Sequence, residues 1–94
     1  MRIVWRPMAE ADRENIFDYI ALDNPQAALD LDESFKAKAE IAARNPKLYR
    51  AGRVRRTREI VVRPNYVMVC HIDDENDILV VLRVLHAAQQ WPPF

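Results

Sequence analysis

The sequence predicts a two-layer α+β domain in the order β-α-α-β-β-β, with a helical hairpin packed on a small, mainly antiparallel sheet. Three observations carry this prediction. Apolar residues in the first half recur at helical spacing and are interrupted once, at Asp23-Asn24-Pro25. The second half changes period, with β-rich runs at 58–63, 66–72 and 78–85 joined by short turns. A short alternating run, Arg2 to Trp5, precedes the helices and would be left unpaired unless it joined that sheet. The length of 94 residues fits one domain, 1–94, around one modest core.

Each element has a local reason. In the first strand Ile3 and Trp5 alternate with Arg2 and Val4. Pro7 suits the first turn of a helix, where its missing N–H is not needed. That helix, from about Met8 to Leu22, places Ala9, Ile16 and Ile20 on one face, with Phe17 widening the stripe. Glu10, Asp12 and Glu14 lie near its N-terminus, where the helix dipole favours anions. Asn24 and Pro25 suit the N-cap and first position of a second helix, which runs to about Arg44 and stops at Asn45-Pro46. Its stripe is Ala28, Leu31, Phe35, Ala39 and Ala42. So short a link predicts an antiparallel hairpin. REIVVR, YVMVCHI and ILVVLRVL then form a meander, turning at Pro64-Asn65 and at DDEND, 73–77. The last two strands are apolar on both faces, so the sheet face away from the helices needs cover. The tail 86–94, a second copy or a partner protein are the candidates.

Composition narrows the function. The single cysteine excludes a disulfide framework and a thiolate-rich zinc site, and a lone thiol suits a reducing cytoplasm. No apolar run exceeds five residues, so no segment is expected to span a membrane. Gly52 is the only glycine, which excludes a glycine-rich phosphate loop, and His71 and His86 have no metal-ligand spacing around them. Neither a cofactor nor a metal is expected. The net charge of zero conceals a pattern: residues 1–43 carry −4, residues 44–63 carry +7 and residues 64–94 carry −3. The central block holds Arg44, Lys47, Arg50, Arg53, Arg55, Arg56, Arg58 and Arg63 against Glu59 alone. That exceeds what protection of a strand edge requires and points to an acidic or phosphate-bearing partner.

Four further residues stand out. Arg83 interrupts ILVVL-R-VL, on the alternation of Leu79, Val81 and Leu85. Burying it unpaired is costly, so it pairs with a carboxylate such as Glu59, reaches a groove, or awaits a ligand. His86 closes the same strand as a structural residue or a proton carrier. Tyr66 and Trp91 can pack at a core rim or stack on a base.

The segments REIVVRPNYVMVCHI and ILVVLRVLHAAQQWP, with WRPMAEADRENIFDYI and NPQAALDL before them, resemble the RelE/ParE superfamily of bacterial type II toxins along almost the whole chain. The resemblance implies a toxin neutralised by a cognate antitoxin in a hetero-oligomer. RelE-like members are ribosome-dependent messenger RNA endonucleases, whereas ParE-like members poison DNA gyrase without a hydrolytic site. The ribonuclease branch often has an arginine after the tyrosine that here is Tyr66, basic residues after the last strand and a late tyrosine. Here stand Val67, Ala87 and Ala88, and no tyrosine follows Tyr66. The resemblance therefore favours a ParE-like gyrase inhibitor acting by protein contact, with Arg53, Arg55, Arg56, Arg58 and Trp91 as antitoxin or target contacts. The alternative is a ribosome-dependent endoribonuclease using His86, Arg83 and Arg63.

Overall fold

The computed structural model describes residues 1–49 and 51–89. The order of elements is β1 (Arg2–Trp5), α1 (Pro7–Ala21), α2 (Pro25–Arg44), a 3-10 turn (Pro46–Leu48), β2 (Arg58–Arg63), β3 (Tyr66–Asp73) and β4 (Ile78–His86). The sheet order is β1-β4-β3-β2. Both β2–β3 and β3–β4 are antiparallel, while β1 runs parallel to β4 with Arg2 opposite Ile78 and Trp5 opposite Val81. The architecture is thus the two-layer α+β fold that the sequence predicts, with a mixed sheet in which only the β1 edge is parallel.

The helices pack as their stripes require. Ala28, Leu31, Phe35, Ala39 and Ala42 are all buried, and the small alanines bring α2 close to its neighbours. Asn24 caps α2, its side chain accepting from the Ala27 amide at 3.1 Å. Ala9 of α1 is fully buried, and Ile16 and Ile20 pack at the margin of the core. Arg13 ties the hairpin together with paired hydrogen bonds to Asp32 at 2.9 and 2.8 Å. The same guanidinium lies 4.4 Å from the Trp5 ring centroid, a cation–π contact that fixes β1 under the helices.

The helix-facing side of the sheet presents Ile60 and Val62 from β2, Met68 and Cys70 from β3, and Leu79, Val81 and Val84 from β4. The jump from Val81 to Val84 marks a bulge, because Val81 opposes Cys70 while Arg83 opposes Val69. This corrects the alternation read from sequence: Arg83 sits in register with the Val69 and Leu85 set, not with Leu79 and Val81. On the face away from the helices Val67, Val69, Val80 and Leu85 are buried, joined by Thr57 and Glu59. Both faces of the central strands are therefore covered. The tail proposed as a cover lies outside the described residues from Gln90 onward, and Trp91 with it.

The two hairpin turns differ in what holds them. Pro64-Asn65 links β2 to β3 beside a register shift between Val61 and Arg63. At the other end the Asp73 carboxylate accepts from the Asn76 amide and side chain at 3.2 and 2.9 Å. Those bonds, the side-chain one foremost, hold Asp73 below the ordinary carboxylate range. Asp77 completes the turn with φ 56°, a left-handed conformation that aspartate tolerates.

Candidate functional site

The basic block folds into a compact loop leading into β2. Ala51 bridges antiparallel to Arg58, the Gly52 amide donates to the Thr57 carbonyl at 2.7 Å, and the Thr57 hydroxyl donates to the Val54 carbonyl at 2.6 Å. Glu59 anchors the loop from below. One carboxylate oxygen accepts from the Arg53 amide at 2.7 Å and from Arg53 Nε at 3.1 Å, and the residue is only 5% exposed. The closed geometry explains the glycine: a Cβ at position 52 would collide with the Thr57 hydroxyl.

The four arginines of this loop are not equivalent. Arg53 is half exposed and held by Glu59. Arg55 and Arg56 stand exposed at the tip, Arg56 with φ 65°. The Arg56 carbonyl accepts from His71 Nδ1 at 3.0 Å, which ties the tip back to β3. Arg58 opens into a cleft of about 230 Å³ lined by Pro46, Lys47, Arg56, His71, Ile72 and Asp74. On the far sheet face a shallower depression of about 510 Å³ runs between Ala51, Gly52, Arg53, Glu59, Val67 and Ala87.

Arg83, His86 and Arg63 occupy different settings. Arg83 is bound to Asp12 of α1, with Nε and Nη2 donating to its two oxygens at 2.7 and 2.9 Å. The carboxylate keeps the guanidinium protonated even more firmly than usual. The expected structural pair exists, but its acid is Asp12; Glu59 serves Arg53. His86 packs edge-on against Tyr66 at 5.3 Å, and Tyr66 packs edge-on against Phe35 at 5.9 Å. Its Nδ1 accepts from the Ala88 amide at 3.0 Å, while its own amide donates to Gln89 Oε1 at 2.7 Å. The ring thereby belongs to the closing turn of β4. Arg63 is exposed and donates to the Ser34 hydroxyl at 3.2 Å.

Register brings Arg63 and His86 together on either side of Tyr66, since Tyr66 opposes both. Arg83 does not join that row. Asp12 and His71 were not singled out by their sequence context as site organisers. Asp12 reads only as an acid favouring a helix N-terminus, and it meets Arg83 across a separation of 71 residues. An arginine inside an apolar strand signals that a carboxylate must exist but does not say which.

The arrangement is that of a small toxin of the RelE/ParE fold, and comparison with known proteins agrees. The structure superposes on a chain from the chromosomal ParDE toxin–antitoxin system of Pseudomonas aeruginosa with a TM-score of 0.79, at 18% identity over 92% of this chain and 95% of that one. It also superposes on a chain of the Escherichia coli RelBE toxin–antitoxin complex with a TM-score of 0.69, at 15% identity over 94% of this chain and 98% of that one. In sequence it is 34% identical over 92 residues to the Sinorhizobium fredii protein named "Putative toxin Y4kP", covering 97% of this chain and 93% of that protein. Residues 3–91 match the family described as the ParE toxin of type II toxin–antitoxin systems, parDE. The chain belongs to the ParE toxin family.

Proposed function

We propose that this ParE-family toxin inhibits DNA gyrase by direct protein–protein contact and is held inactive by a cognate antitoxin in a hetero-oligomer. The observation that carries the reading is the Arg83–Asp12 pair. RNA cleavage by 2′-hydroxyl attack needs a base, an acid and cations aimed at the developing phosphate charge. The arginine best placed by sequence to supply that charge is already neutralised by a carboxylate. The loop from Arg53 to Arg58 instead offers fixed positive charge for an acidic protein surface. Gyrase works in the cytoplasm, where a chain with a single buried thiol is at ease. No helix among the described residues is long and apolar enough to cross a membrane.

The purified full-length chain, mixed with gyrase at stoichiometric excess, should block supercoiling or accumulate cleaved DNA. Folded protein without effect on gyrase overturns the reading.

The Arg63–Tyr66–His86 row favours a second reading, a ribosome-dependent endoribonuclease with His86 as proton carrier and Arg63 as the cation beside it. Mapping transcript 5′ ends after induction tests it. Codon-positioned cuts that vanish in His86→Ala would establish it, and intact transcripts would remove it. Growth arrest on induction without antitoxin separates both readings from a toxin fold that only binds its partner.

A further inference from the structure

We propose that the outer side of α1 is a second docking surface of this toxin, shaped for a basic amphipathic helix of a partner protein. Tyr19 and Leu22 are its apolar anchors, and Glu14 and Asp18 its charged margin. The inference rests on the reading that the toxin acts through protein contacts. It concerns a surface separate from the Arg53–Arg58 loop and opposite to it in charge.

A helix needs one apolar side to pack on a sheet, and α1 has two. Ala9, Ile16 and Ile20 face the core. Met8, Ala11, Tyr19 and Leu22 fall on a second side, in helical step around Asn15, and all five are exposed. Leu22 closes the helix and keeps helical backbone angles, φ −57° and ψ −36°. Met8 is 59% exposed, Tyr19 77% and Leu22 83%. Apolar residues scattered singly over a surface are ordinary, but a row along one side of a helix marks an interaction site.

Charge selects the occupant. Of the acids in α1, Asp12 is bound to Arg83. Glu10, Glu14 and Asp18 follow one another at steps of four, so they line up beside the apolar row, and all three are exposed. None of them has an ion-pair partner among the described residues. The only cation of α1, Arg13, is committed to Asp32 and Trp5. Like charges one turn apart oppose the helix. Asp18 also sits in the last turn, where the dipole disfavours an anion and no basic residue offsets it. A cationic segment laid along this row relieves both penalties, whereas nucleic acid and anionic lipid are repelled by it.

Pitch selects the form of the occupant. From Met8 to Leu22 the row spans about 21 Å at a rise of about 1.5 Å per residue. Its members recur about once per 5.4 Å turn, which matches apolar residues at i, i+3, i+4 and i+7 of a second helix. Same-side residues of a strand repeat at about 6.6–6.8 Å and drift out of step. The expected partner segment is therefore a helix of about four turns, apolar on one side with Lys or Arg beside it.

Nuclear magnetic resonance on the full chain tests this through the amide signals of residues 8–22. The probes are an amphipathic leucine–lysine peptide of about 15 residues, or four turns, the same peptide with glutamate for lysine, a scrambled peptide that breaks the leucine period, and phosphatidylglycerol vesicles. The leucine–lysine peptide should shift these amides saturably, with the glutamate and scrambled peptides weaker by about tenfold or more. Tyr19→Ser with Leu22→Ser should weaken binding by about tenfold at an unchanged melting temperature, since both side chains are exposed. Glu14→Gln with Asp18→Asn should also weaken it, while raising the melting temperature of the free chain by about 1–4 °C. Unmoved α1 signals overturn the proposal, as do shifts confined to the acidic turn 73–77 or an equal response to either control peptide. Concentration-dependent broadening of α1 in the free chain that Tyr19→Ser removes also overturns it, reassigning the surface to a second copy. A tighter response to the vesicles overturns it in favour of a membrane. Failure here alongside intact gyrase inhibition removes this surface and leaves the proposed function standing.

Discussion

Asp12 of α1 takes the place of a missing strand beside Arg83. Its carboxylate accepts from Arg83 Nε at 2.7 Å, from Arg83 Nη2 at 2.9 Å and from the Val84 amide at 2.9 Å. The paired register of β1 ends at Trp5 opposite Val81, so β4 runs on past its neighbour. Asp12 caps the first stretch of that bare edge and pins α1 to it. The bulge before Val84 turns the edge toward the helix, and the guanidinium balances the charge that the carboxylate brings.

Asp12→Ala should therefore cost about 2–3 kcal/mol of unfolding free energy, somewhat less than a fully buried pair because both side chains keep some solvent contact. It leaves a part-buried arginine unpaired and an edge amide uncapped. Arg83→Met should cost less, and the double variant Asp12→Ala with Arg83→Met should lose less than the sum of the two single losses. Urea melts of the four proteins form a double-mutant cycle. Strict additivity would mean that the pair contributes nothing as a pair.

This relationship also marks where sequence reading stops. The stripe from Ala28 to Ala42 emerges buried as its period demands, and β3 and β4 extend only one residue beyond the expected 66–72 and 78–85. Period and punctuation are local properties, so they survive folding. The bulge in β4 is invisible to an alternation count, since one inserted residue flips the parity of all that follow. Glu59 and Asp12 are both acids near apolar residues. Only the three-dimensional path decides that the first reaches Arg53, six positions away, while the second reaches Arg83 across a separation of 71 residues. Arg58 was legible as basic, but not that its Nε would be buried without an acceptor, because a missing acceptor is a fact about surroundings.

The turn of the helical hairpin carries a side-chain cap at Asn24. Asn24 Oδ1 binds the Ala27 amide, and the residue's extended backbone lets the chain reverse before Pro25. Asn24→Ala should lower stability by about 1 kcal/mol, and Asn24→Asp should retain most of the cap. Thermal melts distinguish the two. Equal melting temperatures for the alanine variant and the parent would show that the short link alone sets the turn.

Cys70 lies in the core at 0% exposure, and burial pushes its thiol up to about 12. The folded value is raised, so the protonated form favours the folded state. Its contribution is complete below the ordinary thiol value of 9.0 and is lost as pH rises from there toward about 12. Native protein at mildly alkaline pH should therefore resist thiol reagents that label the denatured chain at once. The decline in stability across that alkaline window should be shallower in Cys70→Ala. Rapid labelling of the native state would contradict the burial.

The basic loop allows charge and fold to be separated. Arg56 adopts φ 65°, where a side chain costs roughly 1 kcal/mol relative to glycine. Its contribution to the framework is a carbonyl, which any residue retains. Arg56→Gly should thus remove a charge while leaving stability unchanged or higher by up to about 1 kcal/mol. Gly52→Ala should do the reverse. Every charge stays, but the new methyl meets the Thr57 hydroxyl and forces open the turn that Glu59 anchors. If the loop contacts its partner through charge, Arg56→Gly should weaken partner binding with an unchanged melting temperature. Gly52→Ala should lower the melting temperature and weaken binding together. Identical behaviour of the two variants in both measurements would show that loop shape, not charge, makes the contact.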